Sequence, residues 1–195
     1  YRVVDNSCEK IDYLAAPEDP IDIQLPLDLH ELVELMPGNI IVIAGEPNSG
    51  KTSWLFNFVK TNMHAFDIHY FNSEMGKEEL RKRLLKISDV PIDQWKCTFW
   101  ERSDEFADVI KTGNGHINII DYLEIYSDFW EVGRFIAEIH RKLNGAIAII
   151  AIQKNPNTNV GLGGFRTLEK ARLALAISHG RIDIVKAKNW KTPEN

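Results

Sequence analysis

The sequence lacks any apolar run that approaches the roughly 18 residues needed for a membrane-spanning helix. It contains only two cysteines, Cys8 and Cys97, and their wide separation without metal-ligand spacing indicates two reduced thiols. The first residues, Tyr1 to Asp5, do not have the charged-then-apolar layout of a secretory signal peptide. We therefore expect a cytoplasmic protein with no membrane partner.

An excess of positive charge is also missing. The 23 basic and 28 acidic residues give a formal net charge of −5, which excludes a chain that binds nucleic acid through its overall charge. Contact with nucleic acid would have to come from local basic groups, or from a ring that concentrates them on one face. The stretch with Arg181, Lys186, Lys188 and Lys191 offers such groups, although a solvated edge of the protein has the same composition.

Length and proline positions divide the chain into two parts. With 195 residues, 44% of them hydrophobic, the chain is long enough for one domain with a sizeable core. Prolines at 17, 20 and 26 mark residues 1–36 as a lead-in segment, with a short helix predicted over 27–36. Residues 37–195 are predicted to form the main domain. Because residue 1 is not methionine, we expect a piece of a longer chain, with the domain ending near residue 195 or beyond it.

After residue 37, apolar β-branched runs alternate with amphipathic segments. The runs predict strands over residues 40–44, 68–72, 97–100, 117–121, 146–152, 171–178 and 181–186, and the segments between them predict helices over 52–63, 75–87, 104–111 and 129–143. Such alternation predicts a three-layer α/β fold, in which helices cover both faces of a mostly parallel central sheet. In this architecture, ligands bind at the carboxyl ends of the strands.

A glycine-rich segment follows the first predicted strand and opens the first predicted helix. It matches the phosphate-binding pattern G-x-x-x-x-G-K-[ST], and we predict that it binds ATP through Gly45, Glu46, Pro47, Asn48, Ser49, Gly50, Lys51, Thr52 and Ser53. In such a loop the backbone N–H groups point at the phosphates, the lysine contacts the β and γ phosphates, and the hydroxyl of Thr52 ligates Mg²⁺. An incidental glycine-rich turn is the alternative, which the position between a buried strand and a helix disfavours.

Three polar residues lie at or just after the carboxyl ends of other predicted strands. We therefore expect them at the same end of the sheet as the glycine-rich segment. Asp121 is a candidate ligand for a Mg²⁺-bound water. Glu74 is a candidate general base, although a glutamate at a helix N-terminus also interacts favourably with the helix dipole. Gln153 is a candidate for a hydrogen bond to the γ-phosphate, and an amide that only caps the strand is the alternative.

With these residues in hand, the chain resembles the RecA-like motor domain of the DnaB-like replicative DNA helicases over roughly residues 38–190. The segments 71–75, 119–123, 151–155 and 184–189 are similar to motifs of that family. The resemblance implies a RecA-like P-loop NTPase fold for residues 37–195, with ATP and Mg²⁺ as cofactors. It also implies that Glu74 is the catalytic base, that Gln153 senses the γ-phosphate, and that the chains form a hexameric ring around single-stranded DNA.

Two parts of the chain depart from the family's pattern. Lys186 and Lys188 stand in the segment that reaches the neighbouring subunit's ATP, but the family usually has arginine at the position of Lys188. An ammonium cannot form the planar bidentate fork of a guanidinium, so both lysines are only candidates for a trans-acting role. The run after Gln153 is only partly kept, and Arg166 aligns weakly with a family arginine.

Aromatic residues and a glycine-rich loop are candidates for DNA contact. Residues 154–165 contain three glycines and could either hold single-stranded DNA or merely connect two strands. We expect Trp54, Trp95, Trp100 and Trp130 to pack in the core, because they fall in predicted helices or strands, whereas Trp190 stays a candidate for base stacking.

Three functions are compatible with the sequence. The first is an ATP-driven helicase or translocase subunit that requires oligomerisation for turnover. The second is a related RecA-fold ATPase of recombination or signalling. The third is an ATP-binding assembly module with little turnover.

Overall fold

Seven strands and three α-helices make up the regular structure of this chain, for which a computed structural model describes residues 11–16, 18–123 and 131–191. The strands are β1 (Ile40–Gly45), β2 (Asp67–Asn72), β3 (Cys97–Glu101), β4 (His116–Asp121), β5 (Ile147–Gln153), β6 (Ala171–Ser178) and β7 (Arg181–Ala187). The helices are α1 (Lys51–Asn62), α2 (Lys77–Leu84) and α3 (Val132–Lys142), joined by short 3-10 turns. None of the helices in these ranges has the length and apolarity to cross a membrane.

The strands form one sheet in the order β3-β2-β4-β5-β1-β6-β7. All neighbouring pairs are parallel except β6 and β7, which form an antiparallel hairpin around Gly180, a residue with a φ of +69°. The predicted α/β fold with a mostly parallel central sheet is therefore confirmed. The hairpin places β7 at one edge of the sheet and β3 at the other.

The central strands are buried on both faces, which explains their continuous apolar sequences. Along β1, Ile41 and Ile43 pack into one hydrophobic core, whereas Ile40 and Val42 pack into a second core on the opposite face. The first core includes α1, and the second includes α3. Because successive side chains of a strand point to opposite faces, a run without polar residues can fill both cores at once.

Two predicted helices differ from the structure. Over 27–36 the chain forms a 3-10 turn, Pro26–Glu31, in which Leu27 and Asp28 have positive φ, so no α-helix continues. Over 104–111 only the turn Phe106–Asp108 forms. There Glu105 has a φ of +45°, which interrupts the helical conformation, and the guanidinium of Arg102 donates to the backbone carbonyls of residues 104 and 105. The start of the predicted helix 129–143 lies outside the described residues.

Part of the lead-in segment packs against the main domain. Ile23, Leu25, Val33 and Leu35 are at most 4% exposed and belong to the same core as α1. The amide of Asn62, the last residue of α1, accepts from the backbone N–H of residue 24 at 2.9 Å and donates to its carbonyl at 2.8 Å. The domain boundary at residue 36 stays a prediction.

The lead-in segment also pairs with the far end of the described chain. Val33 forms an isolated antiparallel bridge with Trp190. On either side of it, the N–H of Glu34 donates to the carbonyl of Asn189 at 2.9 Å, and the N–H of Lys191 donates to the carbonyl of Leu32 at 3.0 Å. Residues 32–34 therefore lie beside residues 189–191.

We expect the substitution Asn62→Ala to lower the free energy of unfolding by about 2 kcal/mol, because it leaves the backbone groups of residue 24 without their buried partner. Urea unfolding followed by circular dichroism measures the change. Asn57→Ala is the control, since this exposed amide on the same helix only bonds the carbonyl of Ser53, and its effect should stay within about 0.5 kcal/mol. Equal losses in the two variants would contradict this account of the lead-in contact.

Candidate functional site

The internal strands β1, β2, β4 and β5 end side by side, and their carboxyl ends border a cavity of about 320 Å³. The cavity is lined by residues 47–53 together with Glu74, Arg83, Asp121, Tyr122 and Gln153. The structure therefore brings together the residues that the sequence assigned to ATP, the metal, the base and the sensor. Lys186 and Lys188 lie elsewhere.

The loop between β1 and α1 has the backbone geometry that its glycines permit. Gly50, the residue before α1, has a φ of +99°, and Asn48 has a φ of +58°. A Cβ atom on Gly45 would lie 2.6 Å from Cγ of Lys51 and 2.8 Å from the hydroxyl of Ser49, so only glycine lets the lysine cross the loop here. The loop thus presents the N-terminus of a twelve-residue helix to the cavity.

The ammonium of Lys51 lies across the loop and donates to the carbonyls of Gly45 at 3.0 Å and Glu46 at 2.9 Å. Burial lowers the pKa of Lys51, whereas the nearby carboxylates of Asp121 and Glu74 act in the opposite direction. The site therefore combines two cations, Lys51 and Arg83, with the carboxylates of Asp121 and Glu74 in a small polar cavity.

Asp121 is the most deeply enclosed carboxylate of the site. It ends β4, is 5% exposed, and its Oδ2 accepts hydrogen bonds from the hydroxyls of Thr52 at 2.9 Å and Tyr70 at 2.5 Å. Burial raises the pKa of Asp121, and the hydrogen bonds from Tyr70 and Thr52 oppose that rise. The pKa of Tyr70 lies well above its usual range, first because the phenol is buried and then because of the adjacent Asp121 carboxylate.

Glu74 follows β2 in a short segment that Asn72 holds in place. The side-chain oxygen of Asn72 accepts from the backbone N–H of Met75 at 2.9 Å and more weakly from that of Glu74 at 3.4 Å. Its amide nitrogen donates to the carbonyl of Met75. The carboxylate of Glu74 is exposed at the cavity, and Gln153 reaches the same cavity from β5, where it pairs in register with Gly45.

A buried ion pair joins the phosphate loop to the residue after Gln153. Nζ of Lys154, a residue only 3% exposed, donates to Oε1 of Glu46 at 2.8 Å, and the hydroxyl of Ser178 donates to the same oxygen at 3.1 Å. These hydrogen bonds, the one from Lys154 first, lower the pKa of Glu46. The only lysine of the 154–165 loop therefore contacts the phosphate loop and is withdrawn from solvent.

The two trans-acting candidates lie on the edge strand and beyond it. β7 runs antiparallel to β6, so Arg181 lies at the phosphate-loop end and Lys188 follows the far end. Nζ of Lys186 donates to the carbonyl of Leu168 at 2.5 Å, and burial lowers the pKa of Lys186. Neither lysine lines the cavity of its own chain. Their action on a neighbouring subunit stays a prediction.

The burial of the tryptophan side chains agrees only in part with the prediction. Trp54 is buried and Trp95 is partly buried against the first core, but Trp100 is 42% exposed, so the expected core position is wrong for it. Trp100 lies on the edge strand β3, where one side of the sheet has no neighbouring strand. Trp190 packs partly against the core and bridges Val33, which leaves it poorly placed for base stacking. Trp130 lies outside the described residues.

Sequence reasoning missed Tyr70, Asn72 and the Glu46–Lys154 pair. Tyr70 carries the one weak signal, since a tyrosine inside an otherwise apolar buried strand needs a partner for its hydroxyl. The other contacts depend on strand register and loop geometry.

Comparison with known proteins finds similarity to the same family as the motifs. Residues 27–115 match the DnaB-like helicase C terminal domain. A replicative DNA helicase DnaB from Mycoplasma genitalium is 28% identical, in a match covering 46% of this chain and 27% of that protein. A probable replicative DNA helicase from Trieres chinensis is 29% identical, in a match covering 51% of this chain and 19% of that protein. The match thus spans 27% and 19% of these curated relatives.

The fold is also found in solved structures. The crystal structure of a KaiC-like protein from the hyperthermophilic archaeon Pyrococcus horikoshii matches with a TM-score of 0.68 and 14% sequence identity, over 92% of this chain and 93% of that one. At this identity the likeness concerns the fold alone. The chain thus has a RecA-like ATPase fold, and its sequence resembles the DnaB-like helicases.

We expect Asp121→Asn to unfold, without nucleotide at about pH 7, at a temperature equal to or above that of the parent. The amide can accept the same two hydrogen bonds without the cost of burying a carboxylate. Because the folded-state pKa of Asp121 is raised, the parent's stability from this group is highest below the unfolded-state pKa and is lost as pH rises through the folded-state pKa. Calorimetry between about pH 4.5 and pH 7 measures the difference in unfolding temperature between Asp121→Asn and the parent. This difference should shrink on acidification.

A difference that instead widens on acidification would contradict the raised pKa. Tyr70→Phe is the matched variant for this experiment. It removes one of the hydrogen bonds that lower the pKa of Asp121, so its pH dependence should be shifted to higher pH than the parent's.

Proposed function

We propose that this chain is the ATP-hydrolysing motor domain of a DnaB-like helicase or translocase that acts on single-stranded DNA in replication. One observation carries the proposal: the Thr52 hydroxyl of the phosphate loop and the Asp121 carboxylate are hydrogen bonded at 2.9 Å, in a cavity that also holds Glu74 and Gln153. A metal–triphosphate site requires a hydroxyl and a carboxylate in such proximity. The family match supports the helicase assignment.

The residues present suit Mg-ATP. The loop offers backbone N–H groups at a helix N-terminus and the Lys51 ammonium for the phosphates, while Thr52 and Asp121 would hold Mg²⁺. When bound, Mg-ATP supplies the phosphoanhydride bond and a cation that neutralises phosphate charge. The 320 Å³ cavity with its polar lining is of the size expected for a ligand site.

Glu74 is the proposed general base. Its carboxylate is exposed at the cavity, so it can accept a proton from an attacking water, and the Asn72 hydrogen bonds to Met75 hold the segment that carries it. Gln153 is the proposed sensor of the γ-phosphate. Gln153 pairs with Gly45 and directly precedes Lys154. A shift of Gln153 would therefore be passed to the phosphate loop through Gly45 and to the 154–165 loop through Lys154.

Assembly into a ring is part of the proposal. Neither Lys186, on β7, nor Lys188, which follows β7, lines the cavity of its own chain. Lys188 would therefore have to act on the adjacent subunit. Turnover would then require oligomers, with a hexameric ring by analogy to the family. The 154–165 loop would face single-stranded DNA, and its contacts would come from backbone and polar groups, because its lysine is bonded to Glu46.

A second candidate is an ATP-binding assembly module with little turnover. Two observations favour it: lysine stands at position 188, where the family usually has arginine, and the ammonium of Lys186 is bonded to Leu168 within its own chain. A RecA-fold ATPase of recombination or signalling shares the fold but has no such specific support. Strand displacement by the full-length protein separates it from a helicase.

We expect Glu74→Gln to lower the ATP hydrolysis rate at least about a hundredfold while ATP affinity is retained, because only the proton acceptor is removed. Steady-state ATPase assays and calorimetric ATP titration measure the two quantities. Glu78→Gln is the control, since this exposed glutamate on α2 does not line the cavity. Unchanged hydrolysis in Glu74→Gln would remove Glu74 from the mechanism, and a parent without hydrolysis, even with single-stranded DNA, would favour the assembly module.

We expect Lys188→Ala to reduce turnover at least about tenfold without weakening ATP binding, and Lys188→Arg to retain or increase it, since a cation from the neighbouring subunit stabilises transition-state charge. ATPase rates at several protein concentrations, with the mass in solution measured alongside, test the requirement for assembly. Lys191→Ala, a change just beyond β7, should have little effect. A full rate from a confirmed monomer would exclude the trans contribution.

A further inference from the structure

A second cluster of ligand-type side chains lies at the opposite end of the sheet from the candidate nucleotide site. Asp67 and His69 are two residues apart on β2, so they share one face, and Asp67 pairs in register with His116 of the neighbouring strand β4. One ligand atom from each residue lies within 4.8 Å of the other two. From His116 to Asp121, five residues along β4, the distance is about 16 Å, so the two sites are separate.

The distances in this cluster suit a bound cation. Oδ2 of Asp67 lies 3.2 Å from Nε2 of His69 and 3.2 Å from Nδ1 of His116. Ligand atoms at 2.0–2.1 Å from a tetrahedral ion are about 3.4 Å apart, so small side-chain adjustments would bring all three onto one ion. Two imidazoles and a carboxylate are the donor set of Zn²⁺ and neighbouring divalent transition metals.

The imidazole of His69 is buried, and Asp67 contacts it at ion-pair distance. His69 is 6% exposed, and no described residue makes a hydrogen bond to either of its ring nitrogens. Nδ1 of His116 is likewise buried without a hydrogen bond from the described part of the chain. The nitrogens thus approach Asp67 at ion-pair distance rather than in a well-aligned hydrogen bond, and a bound cation would give them an aligned partner.

The surroundings keep His69 in place and away from water. The ring of Trp100 stacks on His69 with centroids 6.5 Å apart, and Nζ of Lys111 lies 5.6 Å from the centroid of Trp100. Cys97 pairs in register with Ile68, so its side chain lies on the face of the sheet opposite to His69.

We propose that Asp67, His69 and His116 bind one divalent transition-metal cation of the Zn²⁺ class. The ion would join the amino ends of β2 and β4 and give the buried imidazole of His69 an aligned partner. Three protein ligands leave a fourth position, which water fills. The site is structural, and it is independent of the nucleotide.

Titration of metal-free protein with Zn²⁺ tests the proposal. Calorimetry should give one Zn²⁺ per chain, with an increase in Tm, and Co²⁺ should give the visible absorption of a four-coordinate ion with nitrogen and oxygen ligands. Asp67→Asn and His116→Asn should weaken Zn²⁺ binding at least about tenfold. Both variants leave the buried His69 in place, and circular dichroism verifies that they fold.

Two matched variants make the assignment specific. His64→Gln removes an exposed histidine outside the cluster and should leave Zn²⁺ affinity unchanged, and so should Lys51→Ala at the nucleotide site. The proposal is overturned if no stoichiometric binding occurs, if affinity is unchanged in Asp67→Asn and His116→Asn, or if Co²⁺ shows thiolate absorption that Cys97→Ser abolishes. In the first two cases the two histidines and Asp67 form only an ion pair, and in the third the cation binds through Cys97 instead.

Discussion

The candidate nucleotide site depends on one buried carboxylate. Asp121 ends the strand β4 between the hydroxyls of Thr52 and Tyr70, which belong to the helix after the phosphate loop and to the neighbouring strand. Since burial disfavours its charge, these two donors determine how readily the carboxylate stays ionised. A carboxylate buried in this way costs stability, and binding of a cation beside it would recover the cost.

The second constraint is the contact between the loop that joins β1 to α1 and the loop that follows β5. Glu46 accepts hydrogen bonds from Lys154 and Ser178, so the tips of β1, β5 and β6 are fixed to one carboxylate. Breaking a buried pair by removing one partner is costly, which makes independent movement of these tips unfavourable. Nucleotide-dependent changes at the phosphate loop would therefore be coupled to the start of the 154–165 loop.

Local patterns carried the predictions that the structure bears out, whereas the contacts that sequence reasoning missed depend on strand register. The strands and the phosphate loop follow from apolar runs and glycine positions that are contiguous in sequence, and the residues after each strand meet because parallel strands end together. The helix over 104–111 failed because Glu105 has a left-handed φ of +45°, which interrupts a helical run. The contact of Tyr70 with Asp121 and the pairing of Asp67 with His116 can be inferred only when the register of β2 and β4 is known.

The pairing of residues 32–34 with residues 189–191 has a consequence for the order of folding. Glu34 reaches its partner Asn189 across almost the whole described chain, and the central strand β1 likewise pairs with β5 and β6, which are made more than a hundred residues later. As the protein leaves the ribosome, residues 23–35 can contact α1 early, but residues 32–34 can pair with residues 189–191 only after those residues have emerged. Contacts of such high contact order slow folding, so the early apolar strands would stay exposed to chaperones during synthesis.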